Sequence, residues 1–92
     1  MTNPVNLTLE IVNEKGLHAR ASAQLVELIE GYDSSVKVSR EGETASGDSI
    51  MGLLMLAAAK GTTIDVCVEG ADAEALAEAI TELVVNRFGE DC

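Results

Sequence analysis

An α+β open-faced sandwich, one sheet covered by helices on a single side, is the fold this sequence predicts. Three observations carry it. Every clear strand alternates apolar and polar residues, so each has one dry face and one wet face. Two other segments gather apolar residues on one helical face, and a third, short apolar segment is bounded by helix cap and stop signals. The elements follow one another as β-α-β-β-α-β-α over 92 residues, with no internal repeat and no linker. That order makes a single domain over 1–92.

The first strand is read from Val5, Leu7, Leu9 and Ile11 alternating with Asn6, Thr8 and Glu10. Asn13-Glu14-Lys15-Gly16 is a turn. A helix starts at or just after His18 and runs to Glu30, with Gly31 as its stop; Ala19, Ala23, Val26 and Ile29 or Glu30 lie near one face. Val36 and Val38 alternate with Lys37 and Ser39 in a second strand. Glu41-Gly42 turns the chain toward a short strand around Glu43 to Ala45. Ile50 to Leu56 reads as a short helix with Asp48 or Ser49 as cap, Lys60 in the last turn and Gly61 as stop. Thr62 to Glu69 alternates again. The last helix runs from about Asp72 to Asn86, with an apolar stripe of Ala73, Leu76, Ala77, Ile80, Leu83 and Val84.

Composition narrows the function. Apolar content is 47% and aromatic content 2%, so aliphatic side chains and alanine must build the core. The net charge is −10 with six basic residues, which argues against nucleic acid and against an anionic membrane surface. The longest apolar run, Leu53 to Ala59, is too short to span a bilayer. Met1 to Glu10 lacks a basic start, so no secretory signal is expected. Cys67 and Cys92 have neither metal nor redox spacing, and a reducing cytoplasm is the simplest setting. No cofactor and no metal site is expected: one histidine without a local cysteine or carboxylate cluster argues against zinc, and no glycine-rich nucleotide loop is present.

His18, the only histidine, sits where ordinary helix rules are broken. A helix N-terminus prefers a small polar cap and acidic residues in its first turn. Here an imidazole is followed by the guanidinium of Arg20, and no acidic residue lies between Glu14 and Glu27. Free backbone N–H groups, the positive dipole end and Arg20 converge on one spot, which suits a phosphoryl group that arrives and leaves. A neutral imidazole nitrogen is a nucleophile for it. Helix-terminus effects of about 0.3–1 kcal/mol each suit a carrier that must not hold its phosphate too firmly. The plainer alternatives are an exposed loop histidine and a solvated arginine. Ser49 reads as a helix cap or as a phosphorylation position. Ile50, Met51, Leu54 and Met55 exceed what one helix face needs; they pack the core or offer an apolar docking patch.

Gly16-Leu17-His18-Ala19-Arg20, with Ser49-Ile50-Met51-Gly52-Leu53-Leu54-Met55-Leu56 and then Lys60-Gly61, resembles the histidine-containing phosphocarrier family HPr of the phosphoenolpyruvate-dependent phosphotransferase system. The resemblance spans about Leu7 to Val84. It implies a four-stranded antiparallel sheet with three helices on one face. It implies that His18 takes a phosphoryl group on Nδ1 from enzyme I and passes it to an enzyme IIA protein, with Arg20 assisting. Ser49 falls where HPr kinase acts in some bacteria. Leu17, Ala19, Ala21, Ile50, Met51 and Leu54 are the expected partner-binding residues of a monomeric carrier.

Three departures from the family pattern stand out. Ala21 replaces a usual proline, which would preset the first turn. Asp48 precedes Ser49 where lysine is common. Glu27 and Glu30 occupy the first helix where sugar-transport members often carry lysines. Acidity and the Ala21-Ser22 pair resemble the nitrogen-related, regulatory branch of proteobacteria. The expectation is a phosphocarrier rather than a stand-alone enzyme. The alternative is a regulatory binding module switched at His18 or Ser49.

Overall fold

The computed structural model describes residues 4–90. Met1 to Asn3, where the segment weighed as a signal begins, and the terminal Cys92 lie outside that range. The order is β1 (Val5–Glu10), α1 (Ala19–Glu30), β2 (Ser34–Arg40), β3 (Glu43–Ser46), α2 (Ile50–Met55), β4 (Thr63–Gly70) and α3 (Ala73–Val85). A 3₁₀ turn, Arg87–Gly89, follows α3.

The four strands form one antiparallel sheet in the order β1-β4-β2-β3. Strict alternation sets its register, because a slip of one residue would turn every apolar side chain outward. Leu7 pairs with Val66, Val66 with Val38 and Val38 with Ala45, so one apolar row crosses all four strands. A second row joins Val5, Val68 and Val36. The neighbouring rows point to water. There Thr8 donates to Asp65 at 2.9 Å, and the Ser39 and Thr44 hydroxyls pair at 2.9 Å. Glu41 and Gly42 make the two-residue β2–β3 turn with φ of 48° and 86°, the left-handed pair that a tight hairpin requires.

The helices cover the apolar rows. α3 lies over β1 and β4, α1 packs beside it and against β2, and α2 closes the β3 edge against α1. The core between sheet and helices is aliphatic apart from one phenylalanine, Phe88. α3 buries Ala73, Leu76, Ala77, Ile80 and Val84, while Leu83 is half-buried.

Two expectations need correction. The inward face of α1 is Ala21, Ser22, Leu25, Val26 and Ile29; Ala19 and Glu30 are exposed. The buried stripe is rotated from the expected one by about one residue, roughly 100° around the helix. The short helix also ends at Met55, not near Lys60. Ala57 adopts φ 51°, which breaks the helix and lets Leu56 and Ala58 turn into the core. Lys60 and Gly61 belong to the turn into β4, where the Gly61 N–H donates to the Ile11 carbonyl at 2.8 Å.

Asp72 ties the start of α3 to the start of β2. Its carboxylate accepts from the Ser34 hydroxyl at 2.6 Å and from the Asp33 N–H at 3.0 Å. The Ser34 bond, then the Asp33 bond, lower its pKa. A carboxylate with a lowered folded pKa contributes stability that is present above the unfolded value, about 3.9, and is lost as pH falls through the folded one. Asp72→Asn should therefore lower the melting temperature at neutral pH. That difference should shrink progressively in thermal scans as the pH is taken down through the carboxylate range.

Candidate functional site

His18 is the N-cap of α1, extended at φ −80° and ψ −176°. Its carbonyl accepts the first helical bond, from Ser22 N–H at 2.8 Å, and its side chain makes no capping bond. The N–H groups of Ala19, Arg20 and Ala21 consequently have no partner within the helix. No acidic residue lies in the first turn. The helix start expected from the sequence is thus in place beside the imidazole.

The loop ahead of it is fixed from below. Leu17 N–H donates to the Ala58 carbonyl at 2.8 Å, and the Ser22 hydroxyl donates to the Leu17 carbonyl at 3.2 Å. Gly16 has φ 66°, and a Cβ there would stand 2.4 Å from the Ala58 oxygen. Only glycine lets the loop approach that closely.

Asn13 is wholly buried beneath the loop. Its amide nitrogen donates to the Gly16 carbonyl at 2.8 Å and to Glu90 Oε1 at 3.0 Å. Its own oxygen, Oδ1, has no hydrogen-bond partner. Above it, His18 Nδ1 lies 3.1 Å from the Gly16 carbonyl oxygen and Nε2 lies 3.1 Å from Glu90 Oε2. The imidazole is 28% exposed and the Glu90 side chain 15%.

Glu90 is the site residue that sequence reasoning missed. The expectation of an anion site free of carboxylates holds along the chain but not in space. Phe88, buried and left-handed at φ 53°, anchors the 3₁₀ turn that brings Glu90 back to His18. Nothing local in the sequence signals this return. A phenylalanine beyond the last helical residue, in a chain so poor in aromatics, is the one available hint. Phe88, Gly89 and Glu90 line a cleft of about 430 Å³ together with Glu14, Lys15, Arg20 and Gln24. Arg20 and Lys15 are exposed there, as an incoming anion would require.

Ser49, rather than Asp48, caps α2: its hydroxyl accepts from Gly52 N–H at 3.0 Å. Asp48 accepts instead from the Ser46 hydroxyl. Ile50, Met51 and Met55 are exposed, at 39%, 69% and 73%, and Leu54 is half-buried. Ala19 is exposed next to His18. Leu17 and Ala21 correct the expected docking set, because both are buried in the core and present no side chain to a partner. They hold the loop from inside. Among the described residues, no three of His, Cys, Asp and Glu gather as a metal site, and no helix is long and apolar enough to cross a membrane.

The family profile described as "PTS HPr component phosphorylation site" matches residues 5–86, nearly the whole chain. The chain belongs to the HPr family of phosphocarrier proteins. It is 46% identical to "Phosphocarrier protein HPr" of Cupriavidus necator over 80 residues, which cover 87% of this chain and 90% of that protein. It is 40% identical to "Phosphocarrier protein NPr" of Escherichia coli K12 over 88 residues, covering 95% and 98%. Among solved structures, HPr-C-His from Thermoanaerobacter tengcongensis superposes with a TM-score of 0.91 at 32% identity, covering 96% of this chain and 99% of that one. The HPr sheet and helix layer are therefore the fold found here.

Gly16→Ala tests the loop. The left-handed backbone and the contact with Ala58 should cost roughly 1–3 kcal/mol. The expected result is a lower melting temperature together with shifted His18 ring resonances, since the ring's neighbour at Gly16 must move.

Proposed function

We propose that this HPr-family chain is a phosphocarrier that accepts a phosphoryl group on His18 from enzyme I and delivers it to an enzyme IIA protein. The observation that carries the reading is the half-exposed imidazole at a helix N-terminus whose first turn holds no acidic residue. Nδ1 attacks phosphorus with its lone pair. The bond from phosphorus to the donor breaks, and the donor atom leaves with the bonding pair. The second transfer reverses these roles.

The free N–H groups of the first turn and the Arg20 guanidinium face the charge that develops on the phosphoryl oxygens. Donors aimed at developing charge are the largest common source of transfer-state stabilisation. Arg20 adds several donors in a planar fork and stays charged throughout. Exposed and hydrated, it contributes without trapping the group.

Docking in this reading uses Ala19, Ile50, Met51 and Met55, with Leu54 at the rim. Ser49 is a second modification position, half-exposed beside that apolar patch. A phosphate there would place a strongly hydrated charge on a surface that a partner must desolvate.

The nitrogen-related assignment rests on exposed Glu27 and Glu30 and on the similarity to NPr, although relatives named HPr reach higher identity. It makes enzyme I of that type, in a regulatory cytoplasmic relay, the donor.

Incubation with phosphoenolpyruvate and enzyme I, followed by mass measurement, tests the carrier. The expected product bears one acid-labile, alkali-stable phosphate, which His18→Ala loses completely. Arg20→Ala should transfer more slowly while melting unchanged. Labelling that survives His18→Ala would sink the reading.

Partner choice has its own measurement. Rim charges act mainly on association rate and are screened over about 8 Å at physiological salt. Replacing Glu27 and Glu30 with lysine should speed phosphorylation by a sugar-type enzyme I, most strongly at low ionic strength. Equal rates for both proteins throughout a salt series would leave the acidic surface to solubility alone.

A further inference from the structure

The phosphocarrier reading uses His18, Arg20 and the helix N-terminus, and leaves Glu90 unexplained. A carboxylate beside a phosphoryl site is electrostatically costly, yet this one is well placed. Its two oxygens are separately engaged: Oε1 accepts from buried Asn13 at 3.0 Å, and Oε2 faces His18 Nε2 at 3.1 Å. The same Asn13 nitrogen holds the Gly16 carbonyl, which faces His18 Nδ1 at 3.1 Å. Both nitrogens of the ring therefore meet an acceptor, and one buried amide fixes both acceptors.

A neutral imidazole carries one proton, so only one of these contacts can be a hydrogen bond at a time. With the proton on Nδ1, the ring would donate to a neutral carbonyl and leave a bare Nε2 lone pair against a carboxylate. With the proton on Nε2, it donates to a charged acceptor, and a charge-assisted bond is roughly twice as strong as a neutral one. The bare nitrogen then faces only the carbonyl dipole. The carboxylate decides between the two forms.

We propose that Glu90 is a positioning residue for phosphoryl transfer: it fixes the Nε2–H tautomer of His18 and so leaves the Nδ1 lone pair free as the nucleophile. This inference rests on the phosphocarrier reading. It follows the general logic in which a third group orients a histidine through its second nitrogen. Nε2 keeps its proton during the transfer. Nδ1 forms the bond to phosphorus while the bond to the donor breaks, and the ring gains positive character. Glu90 lies beside that charge on the side away from the phosphoryl group, which limits its repulsion of the phosphate. Nδ1 has only to turn out of contact with the Gly16 carbonyl to meet phosphorus.

The C-terminal turn is built for this return. Arg87 and Phe88 both adopt left-handed φ, at 55° and 53°. Left-handed backbone is unfavourable for residues with bulky side chains. Burial of the Phe88 ring offsets that cost and reverses the chain after α3. Without the reversal, Glu90 would continue away from the site.

The test is ¹⁵N NMR of the His18 ring in the full chain, at a pH where the ring is neutral, for wild type and Glu90→Gln. Glutamine keeps the shape and can still accept from Asn13, but it lacks the charge, and its amide can donate to a bare Nε2. Wild type should carry the proton mainly on Nε2, and Glu90→Gln should move it toward Nδ1. Phosphorylation of Glu90→Gln by phosphoenolpyruvate and enzyme I should slow by roughly three- to tenfold, the scale of one net hydrogen bond, at unchanged melting temperature. An identical tautomer ratio in the two proteins would overturn the proposal, and so would identical rates. If no enzyme I phosphorylates wild type while the tautomer still shifts, the carrier reading falls, and with it the role of Glu90 in transfer; Glu90 then sets only the tautomer of His18.

Discussion

One amide nitrogen of Asn13 donates to both the Gly16 carbonyl and the Glu90 carboxylate, and the placing of His18 follows from those two bonds. Gly16 sits before the ring in the chain and Glu90 comes from the far end of the molecule. Burying a polar side chain costs free energy unless its groups are paired. Asn13 meets that cost only in part, because its oxygen has no partner. A polar group kept in an aliphatic core on such terms is a specifying element: no apolar residue of that size could join the loop to the C-terminal turn. Leu17, Ala21 and Ser22 complete the support from the core side. The loop is thereby tied to the core on one side and open where the imidazole faces water.

The electrostatics of the site are a balance rather than a simple positive pocket. The helix end, Arg20 and Lys15 favour an anion, while Glu14 and Glu90 line the same cleft and oppose one. Each helix-terminus or exposed-charge effect is on the order of 1 kcal/mol or less. No single term fixes the affinity for a phosphoryl group. For a carrier this is the useful regime, since a group held by a few weak terms can be passed on. Glu90 differs from the others because it lies at hydrogen-bond distance from the ring itself, so in the proposed transfer its influence would fall on the nucleophile as well as on the incoming anion.

The surface around His18 divides into two kinds of residue. Ala19 on α1 and Ile50, Met51 and Met55 on α2, two helices that pack together, stand exposed as apolar side chains on an otherwise acidic molecule. Leu17 and Ala21, neighbours of His18 in sequence, point into the core instead. α2 offers Met51 and Met55 outward while Leu53, with Leu56 just beyond its end, reaches the core, and it ends early enough for Ala58 to reach the loop.

Sequence alone determined what depends on short-range pattern. Alternation in Val5–Glu10, Ser34–Arg40 and Thr63–Gly70 dictated strands with one dry face, and the register followed from that face. The helix beginning at His18 was legible because a run without acidic residues at a helix start is conspicuous in so acidic a chain. Tertiary structure decided whatever depends on contacts between distant segments. The phase of α1 came from its packing against β2 and the other two helices, and the end of α2 from the packing of Leu56 and Ala58. Glu90 entered the site across 72 residues of chain from His18, a separation that local propensity does not sense. Its placement needed the burial of Phe88 to favour a left-handed turn that sequence preferences disfavour. Periodicity reports which side of an element is dry, while the partner that covers it, and the carboxylate delivered with that partner, emerge only from packing.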